Sequence, residues 1–359
     1  MGHVDVVSFV RDNEVSNIPN CDVIFSKRIL DSHSRIEGIR SVICATIEPE
    51  NPYSYYQLDK KKETIIDSFV KRKNYDIVVC RYIDSAIKCG LLKYREKLVI
   101  DADDNLESVL KYQATQAAFT TKWKKQYKSR IIKHMLNKTL SDIMCSFCSN
   151  RSELPSPKTI FLHNTSLLNS PVTWSFNKNR LLFVGSLYFY PNKHGLTHFV
   201  DYIFPIIKRK NPSAELRVVG ECKSDFMHYL NSKDGIEAVG RVDDLVSEYQ
   251  KAHIVVIPIY YGSGSSVKFV EALLMNRPVV SSPVGARGFS EICQDGVHYM
   301  LANDDEEFAN KTIELLASAS KSKEIAENGY KIANRHFSQE RFMEIVKESI
   351  LNVKDNLNK

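Results

Sequence analysis

The sequence predicts an α/β protein of two Rossmann-like halves that face each other across a cleft, and three observations carry that prediction. From Leu181 to the C-terminus, short apolar runs alternate with amphipathic stretches; the first half repeats the alternation less regularly; and residues 163–180, a polar stretch with a proline and no period, separate the two. Apolar runs of four to six residues fit strands covered on both faces, which with helical crossovers make a parallel, doubly wound sheet. At 359 residues, 43% of them hydrophobic, the chain has material for two cores. The carboxyl ends of both sheets are expected to open onto the cleft.

Taken in order, the strand candidates of the first half are residues 4–9 (VDVVSF), 76–80 (DIVVC), 97–101 (KLVID), 142–146 (DIMCS) and 158–162 (KTIFL), with helical patterns over 57–73, 83–94 and 105–140. The second half runs LLFVG, a helix over 193–210, ELRVVG, a helix over 224–232, IEAVG, a helix over 243–252 and IVVIP. A helix over 266–276 and the strands PVVSS and YMLA follow. Gly185, Gly220 and Gly240 each end a strand, and Pro258 and Pro283 follow one. Residues 321–357 read as two helical segments broken near His336-Phe337-Ser338, with Ser338 as N-cap and Glu340 just inside. The expected domains are 1–168, 169–337 and a closing helix, 338–359, that packs back on the first.

Composition excludes several classes. Charged residues are 26%, Gly 14 and Pro 12, which fits neither a disordered nor a fibrous chain. The eight cysteines are scattered singly through apolar runs, Cys145 and Cys148 alone sharing a CxxC spacing, as in a reducing compartment. No apolar run reaches the roughly 18 residues of a membrane span and no signal core follows the N-terminus, so a cytoplasmic protein is expected. A net charge of +6 licenses weak attraction to anions, not nucleic-acid binding.

The segment Pro258–Gly288, PIYYGSGSSVKFVEALLMNRPVVSSPVGARG, carries the chemistry, reading as strand, glycine loop, helix, strand, loop. Gly262 and Gly264 let the backbone approach a ligand, and Ser265 and Ser266 can cap the helix. The amides of Ser266 and Val267 then point out of a positive helix end, which suits a diphosphate. Lys268 adds a mobile cation, and Glu271 lies one turn on along the same face as a ribose acceptor. The alternative is a flexible turn ahead of a surface helix with a solvated Lys–Glu pair.

Around that segment, FVGSLYFYPNKHGLTHF, NPSAELRVVG, VGRVDDLVSEYQKAHIVVIP and DGVHYMLANDDEEFA stand in an order that resembles the donor-binding domain of the group 1 (family 4) glycosyltransferases, which have the GT-B fold. The resemblance covers about 181–340 closely and 1–170 loosely. It implies a retaining sugar transfer from a nucleotide-diphosphate sugar, without a metal or other cofactor, to a glycan or lipid-linked acceptor of polysaccharide biosynthesis. Carried over, Glu271 takes the ribose hydroxyls. Lys268 holds the diphosphate with the helix-start amides of Ser266 and Val267 and the loop of Gly262, Gly264 and Ser265. Gly185 and Ser186 approach the phosphates with Asn192 behind them, and backbone at Arg241 and Val242 meets the base. Lys268 and Glu271 form the catalytic pair, since preorganised donors stabilise the charge that grows on a departing diphosphate. Two other readings stay open: a sugar-nucleotide epimerase on the same fold, and a non-catalytic nucleotide-binding or scaffolding relic.

Two departures from the family accompany the match. Many members have a second glutamate eight residues before the ribose glutamate, where this chain has Ser263. Relatives also begin with a further βα unit, and the first domain here is expected to lack it, from a longer natural product or a damaged copy. Other motifs carry bland alternatives. Asp101-Ala102-Asp103-Asp104 resembles a DxD metal motif, but Asp104 or Asn105 serves equally as a helix cap. Cys145 and Cys148 lack a second ligand pair, and His163 reads as cleft-facing or as a satisfied linker residue. Finally, Lys122, Lys124, Lys125, Lys128, Arg130, Lys133 and Lys138 surround Trp123, Tyr127, Ile131 and Met135. Residues 122–138 are therefore either an ordinary amphipathic helix on a sheet or a docking face for anionic lipid, which would place the protein on the inner face of the membrane.

Overall fold

A computed structural model of the chain describes residues 3–10, 21–28, 43–48, 50–102, 110, 114, 119–149, 156, 158–168, 171–174, 179–262 and 265–357. They fall into two compact units, residues 1–101 with 127–146, and residues 102–126 with 147–359.

In the first unit, β1 (Asp5–Val10) pairs in parallel with β2 (Asp22–Arg28). The sequence patterns missed β2, whose apolar core is the triplet Val23-Ile24-Phe25, shorter than the runs that mark a strand buried on both faces. After α1 (Pro52–Tyr55) comes α2 (Lys60–Lys73). It starts where Asp59 accepts from the Lys61 and Lys62 amides, and Lys71, Arg72 and Lys73 complement the dipole in its last turn. β3 (Val78–Arg81) and β4 (Leu98–Asp101) pair in parallel about α3 (Ile83–Lys88), with Leu98, Val99 and Ile100 fully buried.

The helix expected over 105–140 is described as α4 (Phe119–Asp142). Its Ile131, Ile132, Met135, Leu136 and Leu140 are buried, while Trp123 and Tyr127 are 62% and 43% exposed. Of the four apolar residues in the stripe considered for lipid docking, Ile131 and Met135 are thus packed in the core while Trp123 and Tyr127 are exposed. No described helix is long and apolar enough to cross a membrane. β5 (Cys145–Cys148) has all four residues buried, and no cysteine of the chain is in a disulfide.

The second unit follows the expected alternation. After β6 (Thr159–Phe161) come β7 (Arg180–Val184) and α5 (Tyr190–His198), which runs through a π turn, Phe199–Ile203, into α6 (Phe204–Lys210). Next are β8 (Glu215–Val219), α7 (Ser224–Asn231), β9 (Ile236–Gly240), α8 (Leu245–Lys251), β10 (Ile254–Ile257) and α9 (Val267–Leu274). β11 (Val279–Ser281), β12 (Met300–Leu301), α10 (Asp305–Ala317), α11 (Ala319–Phe337) and α12 (Gln339–Leu357) complete it. α11 and α12 break at Ser338, whose Oγ accepts from the Arg341 amide at 3.3 Å, as the capping pattern predicts.

The six strands are ordered β12-β11-β10-β7-β8-β9, every neighbouring pair parallel. Leu181, Leu182 and Phe183 of β7 and Val255, Val256 and Ile257 of β10 are fully buried, each such side chain contributing about 1.5–3 kcal/mol. The chain leaves β7 toward β8 on one side and returns to β10 on the other. Adjacent crossovers therefore lie on opposite faces of the sheet there, and a crevice opens at the carboxyl ends of β7 and β10.

Candidate functional site

A cavity of about 350 Å³ occupies that crevice. The ends of β7 and β10 supply Val184, Gly185, Ile259, Tyr261 and Gly262, and α9 supplies Val267, Lys268 and Glu271 behind Ser265 and Ser266. Phe189, Pro191 and Asn192 at the start of α5 and Val284 and Arg287 after β11 complete the wall. Gly185 is held to glycine by crowding, since a Cβ there would lie 2.8 Å from Asn192 Nδ2 and 3.2 Å from Lys268 Cε. Gly262 is needed for conformation, with φ at 136°.

Ser266 is the N-cap residue of α9, but its side chain does not cap, contrary to expectation. Its Oγ is buried with no hydrogen-bond partner among the described residues. Ser265 instead meets the Asn164 amide at 2.9 Å. The first turn of α9 thus faces the cavity without a side chain on its amides, an arrangement that favours an anion. Lys268 Nζ donates to Asn192 Oδ1 at 2.8 Å, and Asn192 Nδ2 donates to the Ser186 carbonyl at 2.9 Å, so a chain of three residues fixes the ammonium beside the helix end. Burial pushes the Lys268 ammonium down to about 8, partly opposed by the Glu271 charge.

Glu271 is half-buried, and each carboxylate oxygen already accepts a protein hydroxyl: Ser166 Oγ at 3.1 Å and Tyr249 Oη at 2.9 Å. Burial raises its pKa above the ordinary glutamate value, while those two donors and Lys268 pull it back down. The result is an oriented carboxylate with capacity left for ligand hydroxyls, since each oxygen has two lone pairs.

Of the residues selected from the sequence, Gly185, Asn192, Gly262, Ser265, Ser266, Val267, Lys268 and Glu271 meet in this one cavity wall. Ser186 is exposed beside it and contributes its carbonyl to Asn192. Gly264 and Ser263 lie outside the described residues. Arg241 and Val242 are not in the wall: they follow β9, the edge strand two places from β7, and Arg241 is 77% exposed with Glu221 at 3.4 Å. Sequence reasoning missed Arg287, a second cation of the wall, although it stands between two small residues in the quoted VGARG loop. It also missed Ser166 and Tyr249, which carry no motif and reach Glu271 only through tertiary contact. The polar stretch near residue 165 is not a bare linker, since Thr165 donates to the Phe337 carbonyl at 2.6 Å and Gln339 to the Ser166 carbonyl at 2.9 Å.

The remaining motifs resolve as core or stay outside. His163 is buried among Phe161, Phe289 and Phe337, with ring centroids 4.1–6.1 Å away. Burial pushes the Cys145 thiol up to about 11, as befits a core residue. Asp103, Asp104 and Asn105 lie outside the described residues. Among the described residues, His3, Asp5 and Asp22 approach one another closely enough for a cation, but Lys73 already meets Asp5 at 2.7 Å.

Residues 178–318 match the family model described as glycosyl transferases group 1. An uncharacterized 44.6 kDa protein in the cps region of Klebsiella pneumoniae is 25% identical over 320 residues, 82% of this chain and 79% of that protein. Among solved structures, a sucrose-phosphate synthase from Thermosynechococcus elongatus superposes with a TM-score of 0.69 at 15% identity, covering 99% of this chain and 90% of that one. Anabaena HepE in complex with UDP superposes with a TM-score of 0.62 at 15% identity, covering 81% and 82%. The chain carries a group 1 glycosyltransferase domain over residues 178–318 and has the GT-B fold.

Proposed function

We propose that the protein is a retaining glycosyltransferase that moves a sugar from a nucleoside-diphosphate sugar to a glycan or lipid-linked acceptor in surface-polysaccharide assembly. The carrying observation is the cavity at the switch point, where an uncapped helix start, Lys268 and Arg287 stand within one wall beside the oriented carboxylate of Glu271. A diphosphate fits the first three and a ribose diol fits the fourth. The relatives lend support: HepE is described in complex with UDP and glucose, and the Klebsiella relative lies in a cps region.

In the proposed step, an acceptor hydroxyl oxygen forms a bond to the anomeric carbon on the face the diphosphate leaves. The bond from that carbon to the diphosphate oxygen breaks with its electron pair, and the acceptor proton passes to the leaving phosphate. Lys268, Arg287 and the amides of Val267 and Lys268 stabilise the charge that develops. Neither a protein nucleophile nor a metal is required by this scheme.

The test is thermal stabilisation by UDP, GDP and ADP, each with and without EDTA, on the wild type and on Glu271→Gln. The expected result is a shift with one nucleotide that is insensitive to EDTA and lost in the variant. A ligand at a hundred times its Kd adds about 2.7 kcal/mol. No shift with any nucleotide from folded protein overturns the proposal, and a shift that EDTA removes overturns the metal-free scheme.

A further inference from the structure

Tyr249 lies near the end of α8, fully buried, and its phenol is the group that meets Glu271 Oε2 at 2.9 Å. Its backbone is gripped as well. Arg277, fully buried in the turn after α9, donates from Nε to the Tyr249 carbonyl at 2.7 Å. The same guanidinium donates from Nη2 to the carbonyl of Thr173 at 2.9 Å and to that of Gln250 at 3.3 Å. Glu271 and Arg277, the one within α9 and the other just past its end, thus hold the same tyrosine by its hydroxyl and by its carbonyl. Arg277 has no acidic partner in this set. Among the described residues its partners are carbonyls, and burial lowers its pKa to about 10.

A contact that served only to join α8 and α9 would not need to end on a carboxylate of the cavity wall, because a buried ionised group is expensive and an apolar pair would join the helices more cheaply. The expense is understandable where the carboxylate must stay ionised and point in one direction. A carboxylate with one oxygen held by a rigid phenol cannot rotate about its terminal torsion, so its outer lone pairs face the cavity. Ser166, the donor to the other oxygen, offers a short hydroxyl that also accepts from the Leu168 amide at 2.9 Å, whereas the phenol is carried on a fully buried ring.

We propose that Tyr249 is the positioning residue that aims the Glu271 carboxylate at the ribose hydroxyls of the donor nucleotide, with Arg277 holding its backbone. This rests on the reading of Glu271 as the group that receives those hydroxyls. Tyr249 touches no ligand itself, and Tyr249→Phe keeps the packed ring while removing the donor.

The test measures affinities of UDP, 2′,3′-dideoxy-UDP and inorganic pyrophosphate for wild type, Glu271→Gln and Tyr249→Phe by calorimetry. Hydrogen bonds to a charged group are each worth about tenfold or more in affinity, so the wild type should prefer UDP to the dideoxy nucleotide by about a hundredfold. Glu271→Gln should erase that preference. Tyr249→Phe should cut it to about tenfold and leave pyrophosphate affinity unchanged, which also reports an intact fold. A wild type without the preference, or a Glu271→Gln variant that keeps it, overturns the reading of Glu271 itself. If Glu271→Gln loses the preference while Tyr249→Phe retains it in full, or weakens all three ligands alike, Glu271 stands and the positioning role falls.

Discussion

Lys268 is where stability and binding pull apart most sharply. Burial lowers its ammonium from 10.5 to about 8, so the empty protein works against its own lysine. Between those two values the unfolded chain binds more protons than the fold, and this group's contribution to stability rises with pH; below about 8 the full cost of burying the charge is present. At pH 7, Lys268→Met should therefore raise the stability of ligand-free protein by on the order of 1–3 kcal/mol while removing pyrophosphate binding. In the wild type, pyrophosphate binding should weaken as pH climbs through about 8 and should then take up a proton, because the bound anion restores the charge. Melting curves and calorimetry in buffers of different ionisation enthalpy check both; a variant no more stable than wild type would mean that the ammonium is solvated. At this scale the sequence was informative where chemistry is local. Lys268 and Glu271 are three residues apart on one helix, and their spacing alone puts them on one face. Tyr249 was illegible because it is 22 residues from Glu271 and meets it only after two helices have packed.

Elements were legible in proportion to how far each one's apolar run marks it. β7 and β10 are unbroken apolar runs buried on both faces and could be read directly; β2, with three apolar residues between Asp22 and Ser26, could not. α9 was placed correctly, yet the expected serine cap is absent: Ser266 stands at the N-cap with its Oγ unpartnered among the described residues, and Ser265 accepts from Asn164 instead. No residue-type preference foresees that outcome. Gly195, within α5, presents a similar case. Helix propensity says that alanine there should stabilise by about 1 kcal/mol. The packing says otherwise, since a Cβ on Gly195 would lie 1.9 Å from the Pro258 carbonyl oxygen, and Leu196 beside it is fully buried. Backbone cannot yield as a flexible side chain does, so α5 would have to move off the chain that leaves β10, at about 1–3 kcal/mol. Gly195→Ala should thus lower the urea midpoint with the slope unchanged. Because Asn192 rides on the same helix and holds Lys268, pyrophosphate affinity should fall with it. A variant as stable as wild type would show that α5 and the Pro258 backbone do not approach so closely.

At the scale of the molecule, the parallel order β12-β11-β10-β7-β8-β9 ties the most stable part of the second unit to its functional part. β7 and β10 are the central pair, flanked on both sides and sealed on both faces, and their amides should open only with global unfolding. The segments that leave their carboxyl ends carry Gly185 and Gly262 and supply part of the cavity wall. Hydrogen exchange of the ligand-free protein should accordingly be slowest in 181–184 and 254–257 and faster immediately downstream, at 185–192 and 258–262. UDP should slow exchange in 185–192, 259–262 and 265–271, because a ligand that binds only the closed form suppresses local opening in proportion to its occupancy. The same map decides where the base lies. Arg241 and Val242 follow the edge strand β9 and do not line the cavity, so exchange at 240–244 should be unchanged by UDP if the base stays within the crevice between β7 and β10. Protection appearing at 240–244 would place the base over the β8–β9 side, as the family resemblance implies, and would extend the nucleotide site two strands beyond the cavity. Protection absent from 265–271 would remove α9, and with it Lys268 and Glu271, from the nucleotide site altogether.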